Sequence, residues 1–201
     1  MKVLKFGGSS VASSENIKKV VQIVSKRAAK EKTLVVVSAF GKTTNKLIAA
    51  AESAANGNEY KPAFEEVEQQ HLGVVKDLIP VTKQSAVISQ TKRLFNQLET
   101  LLEGCFLIEE ITPKTLATIS GFGELLSSYI ISEVAKESLD ATYKDSRELI
   151  TTSNDYDNAQ VNFSLTEENC QSFFKENKHQ VTVLPGFIAR TENGKSTTLG
   201  R

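Results

Sequence analysis

A chain of 201 residues, 40 % hydrophobic and 24 % charged, has the makeup of an ordinary globular domain, or part of one, and is long enough to bury a core, which excludes a disordered polypeptide. Its 24 Lys and Arg balance 24 Asp and Glu, so no net field draws it to nucleic acid or to a membrane surface, and any anion must be held locally. Cys105 and Cys170, the only two cysteines, lack metal-ligand spacing, and no apolar run approaches the ~20 residues of a membrane helix, so the expectation is a cytoplasmic protein with reduced thiols.

Met1 leads straight into Lys-Val-Leu-Lys-Phe without a signal-peptide core. Residues 3–6 and 33–40 are β-rich, the second run apolar throughout, as a strand covered on both faces would be. Between them Ile17, Val20, Val21, Val24 and Ala28 recur at helical spacing, with Ser13 and Ser14 as caps. Strand, helix, strand predicts a βαβ unit and a parallel sheet.

A helical excursion over about 45–104 follows. Its first helix stops at Gly57. Phe64, Val67, His71, Val74, Val75 and Leu78 share the face of a second, ending at Pro80, with His71 expected to be a satisfied core histidine. Val87, Thr91, Leu94, Leu98 and Leu101 mark a third, closed by Gly104. One further helix is expected over 112–137, with Thr112 as cap and Pro113 at its first position. Residues 140–146 read as a strand, 165–177 as a capped helix and 180–189 as a strand; a hairpin then turns at Asn193-Gly194.

The sharpest local feature is Lys5-Phe-Gly-Gly-Ser-Ser10. Two glycines at the carboxyl end of a parallel strand let backbone N–H groups approach an anion. Hydroxyls add donors, and Lys5 in an apolar strand, read as a buried ammonium, calls for an anionic partner. This is neither a Walker loop, which places its Lys after the glycines, nor a G-x-G-x-x-G loop; a plain tight turn is the competing reading. Ser38, Gly41, Thr43 and Thr44 at the end of the second run fit either ligand contacts or a capped helix start. Gly121 and Gly123 each cost a helix about 1 kcal/mol relative to Ala, which favours a close helix crossing over a ligand pressed on backbone.

Five stretches, Lys5–Val11, Val35–Leu47, Gly121–Ser128, Leu184–Ala189 and Thr197–Arg201, stand in the order seen in aspartate kinases. The whole chain resembles the front part of the amino-acid-kinase domain of that family, most of all forms fused to homoserine dehydrogenase. The resemblance implies a three-layer α/β/α sandwich on a mainly parallel sheet, a single partial domain truncated at its carboxyl side. It implies transfer of the ATP γ-phosphate to the β-carboxylate of L-aspartate, with Mg²⁺ and without a metal site among these residues, in a homo-oligomer that binds neither nucleic acid nor membrane.

On matching positions, the resemblance makes Lys5, Gly7, Gly8 and Ser10 the phosphate-binding stretch, with Lys5 catalytic. Ser38 and Thr44 become hydroxyl contacts to phosphate and aspartate, Glu124 the carboxylate for the α-ammonium, Arg201 the grip on the α-carboxylate, and Phe187 a wall of the aspartate pocket. The acceptor carboxylate, with a pKa of about 4, is already ionised and needs no general base. In the family the chain would continue into a Gly-Ser-Asp stretch that completes the phosphate site, so the fragment alone is expected to be inactive. Acetylglutamate, glutamate 5- and carbamate kinases, or a non-catalytic binding or assembly module, are the alternatives.

Overall fold

The computed structural model describes residues 1–156 and 158–200. In chain order it comprises β1 (Lys2–Phe6), α1 (Ser14–Ala28), β2 (Thr33–Val37), α2 (Thr43–Ala55), α3 (Lys61–Leu78), α4 (Val81–Ile108) and α5 (Pro113–Ser120). There follow α6 (Phe122–Lys136), β3 (Ala141–Tyr143), β4 (Thr151–Thr152), α7 (Phe163–Glu176), β5 (Val181–Pro185), β6 (Ile188–Thr191) and β7 (Ser196–Thr198).

The main sheet has the order β1-β2-β5-β3 and is parallel throughout. Its period-2 alternation sorts the side chains. Leu4 and Phe6, Val35 and Val37, and Val181 and Val183 face a core supplied by Ile17, Val20 and Val24 of α1 and Ile130, Ile131 and Val134 of α6. On the other face Leu34 and Leu184 pack with Leu149 against Phe173 and Phe174 of α7. Val3 and Lys5, on that same face of edge strand β1, remain exposed. The architecture is therefore the expected α/β one, with the carboxyl ends of β1, β2 and β5 gathered on one rim.

Helices α2 to α6 close a second core around Leu47, Phe64, Phe95, Leu98, Leu102 and Leu126. A small second sheet, β4-β6-β7, pairs β4 with β6 in parallel and β6 with β7 antiparallel through the turn at Gly194, whose φ of +74° suits a residue without Cβ. Among the described residues no helix is long and apolar enough to cross a membrane.

Several local expectations hold. Ser13 caps α1 by accepting from Asn16 N–H, and Thr112 caps α5 by accepting from Thr115 N–H, with Pro113 at the first position. Others fail for identifiable reasons. Gly104 does not end its helix: α4 runs on to Ile108 and stops at Glu109, which adopts left-handed φ of +51°. Beyond its own helix backbone and chain neighbours, no described atom lies within 4 Å of where a Gly104 Cβ would be, so no neighbouring element requires a glycine there. The single helix over 112–137 breaks at Gly121 into α5 and α6. The strand over 140–146 is only Ala141–Tyr143, followed by a 3-10 turn, Ser146–Glu148, that Asp145 caps. The run over 180–189 divides at Gly186-Phe187, its two halves joining different sheets.

His71 is wholly buried but only half satisfied. Its Nδ1 lies 2.7 Å from Val67 O, while Nε2 has no hydrogen-bond partner among the described residues. The ring stacks on Phe40 at 4.7 Å and meets the edge of Phe95 at 5.6 Å. Burial pulls its pKa down to about 4.

Candidate functional site

In open parallel sheets, ligands bind outside the carboxyl ends of the strands, where backbone groups leave the ladder. Here a cavity of about 540 Å³ opens at that rim, between the ends of β1, β2 and β5 and the start of α2. It brings together Lys5, Ser38, Thr44, Glu124 and Phe187, five of the residues nominated from the sequence. Gly7, Gly8 and Ser10 do not line it, and Arg201 lies outside the described residues, although the adjoining Leu199 and Gly200 form part of the wall.

Glu124 is the buried end of the site, 2 % exposed in the first turn of α6. Its Oε1 accepts from Ala39 N–H at 3.3 Å and lies 3.4 Å from the Ser38 hydroxyl. Ser127, one turn later, bonds Ser38 O at 2.9 Å, and Ser38 N–H donates to Phe6 O at 3.1 Å. Strand β1, strand β2 and helix α6 are thus tied at one point, and a carboxylate is held inside it. Burying that charge is costly unless donors surround it.

The glycines explain how α6 comes this close. A Cβ on Gly123 would stand 2.8 Å from Ala39 Cβ and 3.3 Å from Thr43 Cγ2; one on Gly121 would stand 2.9 Å from Ile188 Cγ2. Gly123 thus allows close approach of α6 to the loop after β2 and the head of α2, whereas Gly121 admits strand β6 in place of the helix crossing expected there. Gly8 has a similar reason: its Cβ would fall 2.8 Å from Gly41 O and 3.0 Å from Ala39 O, and Gly8 O accepts from Gly41 N–H at 3.0 Å. The Gly-Gly bend thus packs directly on the loop after β2.

Lys5 differs from its expected setting. It is exposed rather than buried, because β1 is an edge strand and Lys5 points away from the α1 face. Its register places it beside Val36, and Val36 beside Leu184, so the amine rises from the open face of the sheet onto the cavity. The burial argument for an anionic partner therefore lapses; its place in the cavity remains.

Phe187 has a φ of +64° and sits in a tight turn in which Ile188 N–H donates to Gly186 O at 2.6 Å. Its own carbonyl accepts from Leu199 N–H at 2.8 Å. This left-handed backbone is rare for an aromatic residue and marks a locally strained wall.

Sequence reasoning did not nominate Lys42, Asn45, Leu199 and Gly200 as cavity walls. The stretches Phe40–Asn45 and Thr197–Arg201 carried the signal, since a second cation stood beside the threonines of one and an Asn-Gly hairpin fed the other. Lys42 and Thr44 bracket the amino end of α2, where the helix dipole favours negative charge. Two ammonium groups, a helix start and one buried carboxylate suit a ligand carrying several anionic groups and one cationic group. Among the described residues no group of three His, Cys, Asp or Glu side chains could hold a metal ion. Mg²⁺ ordinarily keeps several waters and binds through one or two carboxylates together with substrate phosphates.

The whole chain, residues 1–201, matches the model of the amino acid kinase family. It is 32 % identical over 207 residues to the chloroplastic bifunctional aspartokinase/homoserine dehydrogenase 1 of Arabidopsis thaliana, covering 99 % of this chain and 22 % of that protein. With chloroplastic aspartokinase 1 of the same plant it is 31 % identical over 206 residues, 99 % of this chain and 35 % of the other. The crystal structure of E. coli aspartokinase III in complex with aspartate and ADP aligns with a TM-score of 0.87 at 26 % identity, over 100 % of this chain and 44 % of that one. The chain thus spans 22 to 44 % of the length of these relatives.

Proposed function

Because the chain belongs to the amino acid kinase family, we propose that it is part of an aspartate kinase, which moves the γ-phosphate of ATP onto the β-carboxylate of L-aspartate. The product is 4-phospho-L-aspartate, the first intermediate on the way to lysine, threonine and methionine. The transfer is proposed for the whole protein, a cytoplasmic homo-oligomer in this reading. The 201 residues are proposed to hold the aspartate side and part of the phosphate side, and not to turn over alone.

One observation carries the reading: a buried carboxylate, Glu124, and the amine of Lys5 share one cavity whose other walls include the hydroxyls of Ser38 and Thr44, the amine of Lys42 and the ring of Phe187. Glu124 receives the α-ammonium of the substrate, and the hydroxyls of Ser38 and Thr44 hydrogen-bond its carboxylates and the nearest phosphate oxygens. Phe187 packs on its methylene, and Arg201 grips the α-carboxylate as a bidentate pair. Lys5 neutralises charge on the phosphoryl group as it passes, and Gly7, Gly8 and Ser10 complete the phosphate turn. The acceptor oxygen is ionised beforehand, so positioning and charge neutralisation make up the catalysis.

Calorimetric titration of the chain with L-aspartate and with ATP tests the binding half. Hydroxylamine trapping of the acyl phosphate formed by the full-length protein from aspartate, glutamate, acetylglutamate or carbamate tests the transfer. Trapping only with aspartate supports the proposal; trapping with another acceptor reassigns the substrate. Binding of neither ligand replaces the enzyme with a non-catalytic module.

A further inference from the structure

The pocket wall made by Phe187, Leu199 and Gly200 flanks the strands of the small second sheet, and β5 of the main sheet leads into it through Gly186, whose N–H donates to Val37 O at 2.7 Å. Further ties lie outside the cavity, in the turn after β3. Asp145, Ser146 and Arg147 each make contacts there that reach β6 or β7 directly or through a neighbour.

Ser146 is 1 % exposed, and its hydroxyl donates to Ile188 O at 2.9 Å, at the foot of β6 next to Phe187. Arg147 forms a fork with Asp145: Nε lies 3.1 Å from both carboxylate oxygens and Nη2 2.7 Å from Oδ2. The Arg147 backbone N–H adds a bond of 2.9 Å to the same carboxylate. Its remaining arm, Nη1, donates to Ser196 Oγ at 2.9 Å, in the first residue of β7. The two side chains are 31 % and 17 % exposed, so this is not the freely solvated ion pair whose contribution is negligible. A planar guanidinium with its donors committed in a fixed fork presents Nη1 in one direction only. From Ser196 the strand runs through Thr198 to Leu199, which bonds Phe187 O, and on to Gly200.

We propose that Asp145 and Arg147 are positioning residues of the substrate pocket. The fork fixes β7 through Ser196, Ser146 fixes β6 through Ile188, and together they set the Phe187–Gly200 wall against Ser38 and Glu124. The role rests on the aspartate-binding reading above. It gives the pocket a dependence on three residues that never touch the ligand, and confines that dependence to the amino-acid side of the cavity.

The test uses Ser196→Ala, Arg147→Lys and the double variant of this chain. Three readouts are taken: amide hydrogen exchange at Leu199, calorimetric affinity for L-aspartate and for ATP, and the thermal midpoint. Either single variant should speed Leu199 exchange and weaken aspartate binding roughly three- to tenfold, the scale of one hydrogen bond. ATP affinity should stay near wild type in both, and so should the midpoint of Ser196→Ala, which leaves the Asp145–Arg147 fork intact. The double variant should be no worse than the more damaged single, because both break the same link. Rescue by lysine, additive losses, or an unchanged aspartate affinity overturns the proposal, as does an equal loss of ATP affinity. If the wild-type chain binds no aspartate, the substrate reading falls on its own, and unchanged Leu199 exchange in Ser196→Ala would then still overturn the positioning role.

Discussion

Ala39 and Glu124, far apart in the chain, meet at the end of the second strand, where the Ala39 N–H donates to Glu124 Oε1 at 3.3 Å. A backbone donor survives every substitution of Ala39 except proline, so this contact holds the carboxylate through side-chain changes nearby. The side chain can therefore be altered in charge while its place is kept.

Glu124→Gln preserves size and an acceptor for Ala39 while removing the negative charge. Affinity for L-aspartate should fall by about tenfold or more, the scale of a charge-assisted hydrogen bond, with the thermal midpoint little changed. Calorimetry beside a thermal melt checks both. Undiminished affinity would remove Glu124 from the role of ammonium binder.

Lys5 lies on an exposed edge, so Lys5→Met should leave folding intact. In the full-length protein it should lower kcat by a factor on the order of a hundred or more, as loss of a preorganised electrostatic contact does, with aspartate affinity in this chain unchanged. Steady-state kinetics on the variant and calorimetry on the chain separate the two. A normal kcat would exclude the amine from the chemistry.

His71 gives acid sensitivity of known sign. Its folded pKa of about 4 lies below the ordinary histidine value of 6.5, so between those values the unfolded chain binds the proton and the folded chain does not. Stability is complete above pH 6.5 and declines as the pH falls toward 4, by about 3 kcal/mol from this group. His71→Phe, which keeps a ring against Phe40, should remove that component. Denaturant melts of both proteins across the window measure it as a difference curve; parallel curves would refute the assignment.

Two glycine substitutions should act in opposite directions. Gly123→Ala forces a methyl to within 2.8 Å of Ala39 Cβ, and overpacking of this kind costs about 1–3 kcal/mol. Aspartate affinity should fall with it, because Ala39 and Glu124 are neighbours of the clash. Gly104→Ala fills open space in mid-helix and should stabilise by up to about 1 kcal/mol. Chemical denaturation of the pair decides, and a neutral Gly123→Ala would contradict the close crossing.

The sequence made legible whatever is decided locally. Ser13, Thr112 with Pro113, and Asn193-Gly194 announce their caps and turn because each acts on backbone within a few residues. The parallel sheet followed from the spacing of two β-rich runs around one amphipathic helix. Gly104 misled because a glycine weakens a helix without ending it where packing carries the helix on, as buried Leu102 and Cys105 do on either side. The run through Pro185 and Ala189 looked continuous because hydrophobicity does not report which sheet receives it; Gly186 and Phe187 change direction there. Lys5 was read as buried because its neighbours are apolar, whereas exposure depended on β1 standing at an edge. The clamp at Asp145 to Arg147 was invisible as such, since its partner Ser196 is distant in sequence and unremarkable in type.

The cavity draws its walls from the start of the chain, the turn after β2, the head of α6 and the last described residues. A molecule lodged there would act as a rivet, fastening segments that fold together only when long loops have closed. Melting temperature should therefore climb with ligand concentration, and digestion by a protease should slow at cut sites remote from the rim. A survey of amino acids and nucleotides by thermal shift would then report occupancy without any turnover assay.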